Sequence, residues 1–204
     1  MEAFLSALLD CIKVACQREY VGGTSGNVSF RTEEGQMYIS RTNVRLRTLR
    51  PEDFVLVAQG SPLPGVFPSK ELPMHRAAYQ SRPDFRVLLH FHCLECVVAS
   101  LLLGPHCRLP FFTRTHRNKL GPIPVLEDYP AGSQQLARAV GEEIREADGV
   151  LLYRHGILVG GDQVETAFDR VEYLVEACRL FLTLRHADPE LVRQLLLPFA
   201  ENSM

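Results

Sequence analysis

The spacing of apolar residues changes character several times along the chain. Phe4, Leu8, Leu9 and Ile12 share one helical stripe within residues 1–16, broken by Glu2, Asp10 and Lys13, so an amphipathic helix is predicted there. A glycine-rich turn follows, Gly22-Gly23-Thr24-Ser25-Gly26-Asn27, and then two short alternating segments at 28–31 and 37–40 read as a β-hairpin around 32–36. Residues 54–57 give a third strand, and 59–68 form a loop rich in proline and glycine. Ser69 can cap a helix running to about residue 80, with Glu71 in its first turn. A strand at 87–92 leads into a helix ending near 103, and a proline-bounded irregular segment covers 105–124. Residues 133–147 return to helical periodicity through Leu136, Val140 and Ile144. A second hairpin, 150–153 with 157–159, flanks His155-Gly156 and ends at Gly160-Gly161. The last long helix, 164–184, turns Phe168, Val171, Leu174, Val175 and Cys178 inward.

Short strands clustered between helices, without regular βαβ alternation, predict an α+β fold with a mainly antiparallel sheet covered by helices. The 204 residues suffice for one large domain, and nothing marks a linker, so residues 1–204 are expected to form a single unit. An apolar fraction of 46%, a charged fraction of 23% and a formal charge of −2 offer no bulk attraction to nucleic acid or an anionic membrane. No segment has the length and apolarity of a membrane span, and the first residues lack the basic-then-apolar pattern of a secretory leader. Cysteines scattered at 11, 16, 93, 96, 107 and 178 suit reduced thiols, so a cytoplasmic protein is expected.

The chemistry concentrates at His90-Phe91-His92. Residues two apart on a strand share a face, so both imidazoles can meet one ion, and Glu71 upstream and His155 downstream complete three histidines and a carboxylate. That is a catalytic rather than structural ligand set for zinc, since structural zinc takes mostly thiolates and closes its shell. Cupin barrels also use a His-x-His with a later glutamate, and Glu95 lies nearby, yet the helical run after Cys93 opposes a pure barrel. Cys93 and Cys96 have no second pair with which to build a zinc ribbon and read as small buried residues. The glycine turn lacks the spacing of a dinucleotide fingerprint, and no phosphate-loop motif is present. Backbone N–H groups of that turn, together with Ser69 and the amides near Lys70, nevertheless form a natural anion site.

Gly23-Thr24-Ser25-Gly26-Asn27-Val28-Ser29, Pro68-Ser69-Lys70-Glu71, His90-Phe91-His92 and Arg154-His155-Gly156 follow one another along nearly the whole chain. In that order they resemble the class II aldolase and adducin head-domain family, within its small sugar-phosphate branch. The resemblance implies a three-layer α/β/α sandwich and zinc on Glu71, His90, His92 and His155. It further implies that Asn27, Thr42, Ser69 and Lys70 hold a substrate phosphate, that Glu71 serves as acid and base, and that a ring-like homotetramer places each site at a subunit interface. The implied activity is cleavage of a small ketose 1-phosphate to dihydroxyacetone phosphate and an aldehyde. Decarboxylation of a 3-oxo-tetronate 4-phosphate is the alternative, followed by dehydration of a sugar phosphate; a non-catalytic adducin-like module is expected to have lost its metal ligands.

Departures from the family pattern bear on the substrate. Ser69-Lys70 stands where the aldolases carry two serines and is closer to the decarboxylating relatives. Arg41, Arg45 and Arg47 enrich the loop around Thr42 in cations, either as a solvated face or for anion recognition. The interface tyrosine expected within residues 110–124 is missing. His116 is the best proton carrier in that segment, with a plain surface histidine as the alternative, and Tyr129 is a further candidate.

Overall fold

The computed structural model describes residues 2–57 and 67–187, so most of the loop expected at 59–68 lies outside the described residues. Helix α1 (Glu2–Gln17) precedes strands β1 (Asn27–Arg31), β2 (Met37–Ser40) and β3 (Phe54–Val57). Helix α2 (Leu72–Ser81), strand β4 (Val87–Phe91) and helix α3 (Leu94–Leu103) follow. The remainder comprises β5 (Arg108–Leu109), β6 (Ile123–Leu126), α4 (Gln134–Glu143), β7 (Gly149–Leu152), β8 (Gly156–Gly161) and α5 (Val164–Leu184).

The strands lie in the order β3-β2-β1-β4-β8-β7-β6-β5, with every neighbouring pair antiparallel except β6 and β7. Side-chain alternation on the central strands separates two cores. Val87, Leu89 and Phe91 of β4 join Val28 and Phe30 of β1 beneath α1, α3 and α5. Leu88 of the same strand faces the other way, packing with Leu158, Met74, Ala78 and Val140 under α2 and α4. The result is the expected α+β sandwich of three layers, helices on both faces of a mainly antiparallel sheet. Among the described residues no helix is long and apolar enough to cross a membrane.

Four local expectations need correction. Helix α2 begins at Leu72, one residue after Glu71, which is the residue that caps it rather than part of its first turn. Pro73 suits the start of a helix because its missing N–H needs no partner there, while Ser69 closes a tight turn just ahead, its carbonyl accepting from the Leu72 N–H at 3.0 Å. The segment 105–124 is not wholly irregular: it contains β5 and the start of β6, which Pro124 disguised. Helix α4 stops at Glu143, short of 147, although Ser133 caps it as expected by accepting the Leu136 N–H at 3.1 Å. Gly160 and Gly161 do not end the second hairpin but continue β8 to pair with Leu88 and Val87.

Gly160 is small because the ring of the fully buried Phe85 lies directly over it, where any side chain would collide. Phe85 thereby fills the space between β8 and helix α2, on the face that carries the site. We expect Phe85→Ala to cost about 3–5 kcal/mol of stability through the cavity it leaves. Urea unfolding of the purified variant measures this; a loss below about 1 kcal/mol would contradict the packing described.

Candidate active site

Register brings the histidines together. Asn27, the first residue of β1, pairs with His90 of β4, and Leu158 of β8 pairs with His90 from the other side. His90 therefore emerges on the α2 and α4 face with Asn27 beside it. Arg154, in a left-handed conformation at φ 59°, turns the chain between β7 and β8 and delivers His155 to the same place. The three imidazoles stand edge to face with centroids 4.7 to 4.9 Å apart. One ligating nitrogen from each lies within 4.8 Å of the others.

His90 is wholly buried, and its Nδ1 lies 2.7 Å from the Ile157 carbonyl. A carbonyl can only accept, so Nδ1 carries the proton and Nε2 is left with its lone pair. That lone pair points at His92 Nε2, 2.9 Å away. Burial holds His90 neutral, with the neighbouring His92 and His155 adding to the effect. His92 is pushed down to about 4, first by burial and then by His155 and Lys70; His155 is lowered by burial and Lys70, against a smaller opposing pull from Asp128. Near neutral pH the cluster thus offers neutral imidazoles, the form that binds a metal.

Glu71 stands at the edge of this cluster, its Oε1 3.8 Å from His155 Nε2. The carboxylate is 2% exposed, and Oε1 accepts no hydrogen bond among the described residues. Oε2 accepts the Gly132 N–H at 3.1 Å. Burial raises the Glu71 pKa, opposed by the Gly132 amide and by Lys70. Gly132 has φ 77°, and a Cβ on it would lie 2.6 Å from the Lys70 carbonyl, so only glycine brings its amide this close. A buried carboxylate oxygen without a donor, beside lone pairs converging from neutral histidines, fits a divalent cation.

A cleft of about 230 Å³ runs from this cluster to the turn before β1, bounded by Gly26, Asn27, Thr42, Ser69 and Lys70 as well as by Glu71 and the histidines. Gly26, at φ 78°, rests on the His90 carbonyl, where a Cβ would sit 2.6 Å away, so the turn can approach the strand that carries His90 only with glycine there. Lys70 is exposed on the rim. Arg41 also reaches the cleft, but its Nε donates to Asp53 at 2.7 Å, which neutralises much of its charge. Arg45 lies in the adjoining groove with Thr48 and Arg50 rather than in the cleft.

His116 lies elsewhere. It opens a π-helical turn, His116–Leu120, that packs against α5, and its side chain is 1% exposed with Glu176 at 3.6 Å. Burial lowers its pKa, opposed by Glu176. Tyr129 lines a separate groove with His106 and Glu127. Neither joins the histidine cluster of its own chain.

Four contributors escaped the sequence reading. The Ile157 carbonyl and Gly132 N–H are backbone groups with no side-chain signature. His75 and Tyr79 had one: with Glu71 they recur every four residues along α2 and so share a face. His75 Nε2 lies 2.6 Å from Asn27 Oδ1, and Ser29 Oγ lies 2.7 Å from His75 Nδ1 and 3.0 Å from the Tyr79 hydroxyl. Burial alone lowers His75 to about 3 and is the main cause raising Tyr79, so both are neutral.

The model of the Class II Aldolase and Adducin N-terminal domain matches residues 6–182. A 3-oxo-tetronate 4-phosphate decarboxylase from Haemophilus influenzae is 31% identical over 172 residues, spanning 83% of this chain and 82% of the relative. An L-fuculose phosphate aldolase from Methanococcus maripaludis is 29% identical, spanning 86% of this chain and 94% of the relative. The solved structure of L-fuculose-1-phosphate aldolase from Thermus thermophilus superposes with a TM-score of 0.82 at 26% identity, covering 93% of this chain and 99% of the other.

We expect purified protein to hold about one divalent ion per chain, measured by elemental analysis, and the His90→Ala, His92→Ala double variant to hold none while keeping its fold. Full occupancy in that variant would refute the assignment of these ligands.

Proposed function

Since the chain belongs to the class II aldolase and adducin N-terminal domain family, we propose that it is a metal-dependent lyase acting on a small phosphorylated sugar acid, breaking the bond next to a ketone by decarboxylation. The observation that carries this reading is the cleft itself, with histidines and Glu71 at one end and Asn27, Thr42, Ser69 and Lys70 at the other. A zinc ion held by His90, His92 and His155 with Glu71 alongside supplies a Lewis acid for the ketone oxygen. The residues of the chain do the rest.

Asn27, Thr42, Ser69 and the turn amides offer hydrogen-bond donors to the phosphate, and the Lys70 ammonium, which has no ion-pair partner among the described residues, meets a second anionic group. In decarboxylation the bond between the carboxylate carbon and its neighbour breaks, its electron pair stays on the neighbouring carbon in conjugation with the ketone, and carbon dioxide departs. One proton must then be delivered to that carbon. Among the described residues Glu71 is the only carboxylic acid bordering the cleft, which supports it as the group that delivers this proton.

Retro-aldol cleavage of a ketose 1-phosphate is the second reading, supported by the similarity to the fuculose phosphate aldolases. It requires in addition a group that removes the hydroxyl proton as the aldehyde leaves. Among the described residues no tyrosine borders the cleft of one chain, so that group would come from a neighbouring subunit. The exposed Leu94, Leu101 and Leu102 along α3 offer an apolar surface for the association, which we take to be a homotetramer. Both reactions leave dihydroxyacetone phosphate when the substrates are a 3-oxo-tetronate 4-phosphate and a ketose 1-phosphate, so the second product tells them apart.

Incubated with 3-oxo-tetronate 4-phosphate, the enzyme should release carbon dioxide and dihydroxyacetone phosphate in equal amounts. Release of an aldehyde with dihydroxyacetone phosphate from ketose 1-phosphates, without turnover of the sugar acid, would replace decarboxylation by aldol cleavage. Glu71→Gln should lower kcat by about 10²–10⁴ because the amide cannot donate the proton; wild-type kcat in that variant would remove Glu71 from the proton transfer.

A further inference from the structure

The Asn27 side chain faces the cleft on one side and a sealed line of hydrogen bonds on the other. The line runs from Asn27 Oδ1 to His75 Nε2, from His75 Nδ1 to Ser29 Oγ, and from Ser29 Oγ to the Tyr79 hydroxyl, with His75 and Ser29 fully buried and Tyr79 4% exposed. Of the line's members, Asn27 alone borders the cleft.

The donors in such a line must all point one way. If the Tyr79 phenol donates to Ser29, the serine proton goes to His75 Nδ1 and the Nε2 proton to the carbonyl oxygen of Asn27. Every donor in the line then has an acceptor. In the reverse direction the Asn27 amide nitrogen donates to Nε2, the Nδ1 proton goes to Ser29 and the serine proton to Tyr79. The Tyr79 proton then has no acceptor in the line, which is costly at a buried site.

We infer that His75 is the positioning residue of the anion-binding end: fixed as its Nε2–H tautomer by Ser29 and Tyr79, it holds the Asn27 carbonyl inward and turns the amide NH₂ to the cleft. Asn27 can then only donate to a ligand there. A flipped amide would present its oxygen to an anion and repel it. His75 thus acts through Asn27 and touches no ligand itself, and the inference rests on the reading of this end of the cleft as an anion site. Losing the preset orientation should weaken a phosphate by about tenfold, the scale of one hydrogen bond to a charged group.

Calorimetric titration of the metal-loaded protein with inorganic phosphate tests it in a double-mutant cycle. His75→Leu and, as a milder change that leaves the imidazole in place, Ser29→Ala should each weaken phosphate in the Asn27 protein, His75→Leu by about tenfold, yet alter it less than about twofold in an Asn27→Ala background. Equal weakening in both backgrounds would make His75 merely structural and overturn the inference, as would undiminished affinity in His75→Leu when Asn27→Ala weakens binding. Nitrogen-15 NMR of the wild-type His75 ring gives a second readout, independent of ligand: a neutral ring protonated at Nε2 supports the line, and a ring protonated at Nδ1 overturns it. If wild-type protein binds no phosphate and Asn27→Ala changes nothing, the anion-site reading has failed, while the ring tautomer still decides the direction of the line.

Discussion

An imidazole whose proton is committed to a backbone carbonyl has only a lone pair left to offer, and that constraint on His90 organises the site. The Ile157 carbonyl takes the Nδ1 proton inside a fully buried environment, so Nε2 must face something electron-poor. His92 and His155 present their rings to the same point, also held neutral. Lone pairs packed this closely repel one another unless a cation sits among them. The folding energy that tolerates the arrangement comes from the two cores on either side of β4, where Leu88 and Leu89 are each wholly buried on opposite faces.

The same strand register that sets the histidine end of the cleft also sets the end proposed to bind an anion. Asn27 is the cross-strand partner of His90, and Gly26 rests on the His90 carbonyl. A shift of one residue between β1 and β4 would send Asn27 and Ser29 to the α1 face and break the line to His75. Lys70 links the two ends electrostatically, since its charge helps keep His92 and His155 deprotonated and also stabilises the ionised form of Glu71. The proposed phosphate recognition and chemistry would therefore both belong to one piece of sheet with α2 laid across it.

Much of this was legible in the amino-acid sequence. The strands at 37–40 and 54–57 and the helix at 164–184 fall where the periodicity placed them, because alternation and an apolar stripe survive without special backbone geometry. The three histidines and Glu71 could be nominated together because His-x-His on a strand has only one geometric meaning. The short strands around Arg108 and Ile123 were hidden, since two- and four-residue strands interrupted by proline carry almost no periodic signal. The fates of Arg41, His116 and Tyr129 depend on long-range partners, Asp53 for the arginine, Glu176 and α5 for the histidine, which no local spacing reveals. His75 was overlooked for the opposite reason: a lone histidine on an apolar helix face has an ordinary structural explanation until its partners are in view.

X-ray absorption at the zinc edge of the loaded protein tests the central claim most directly, because it reads the atoms around the ion. Three imidazole nitrogens with one or two oxygens at about 2.0–2.2 Å should appear. Sulfur scattering near 2.3 Å, or fewer than two imidazoles, would contradict a centre built on His90, His92 and His155.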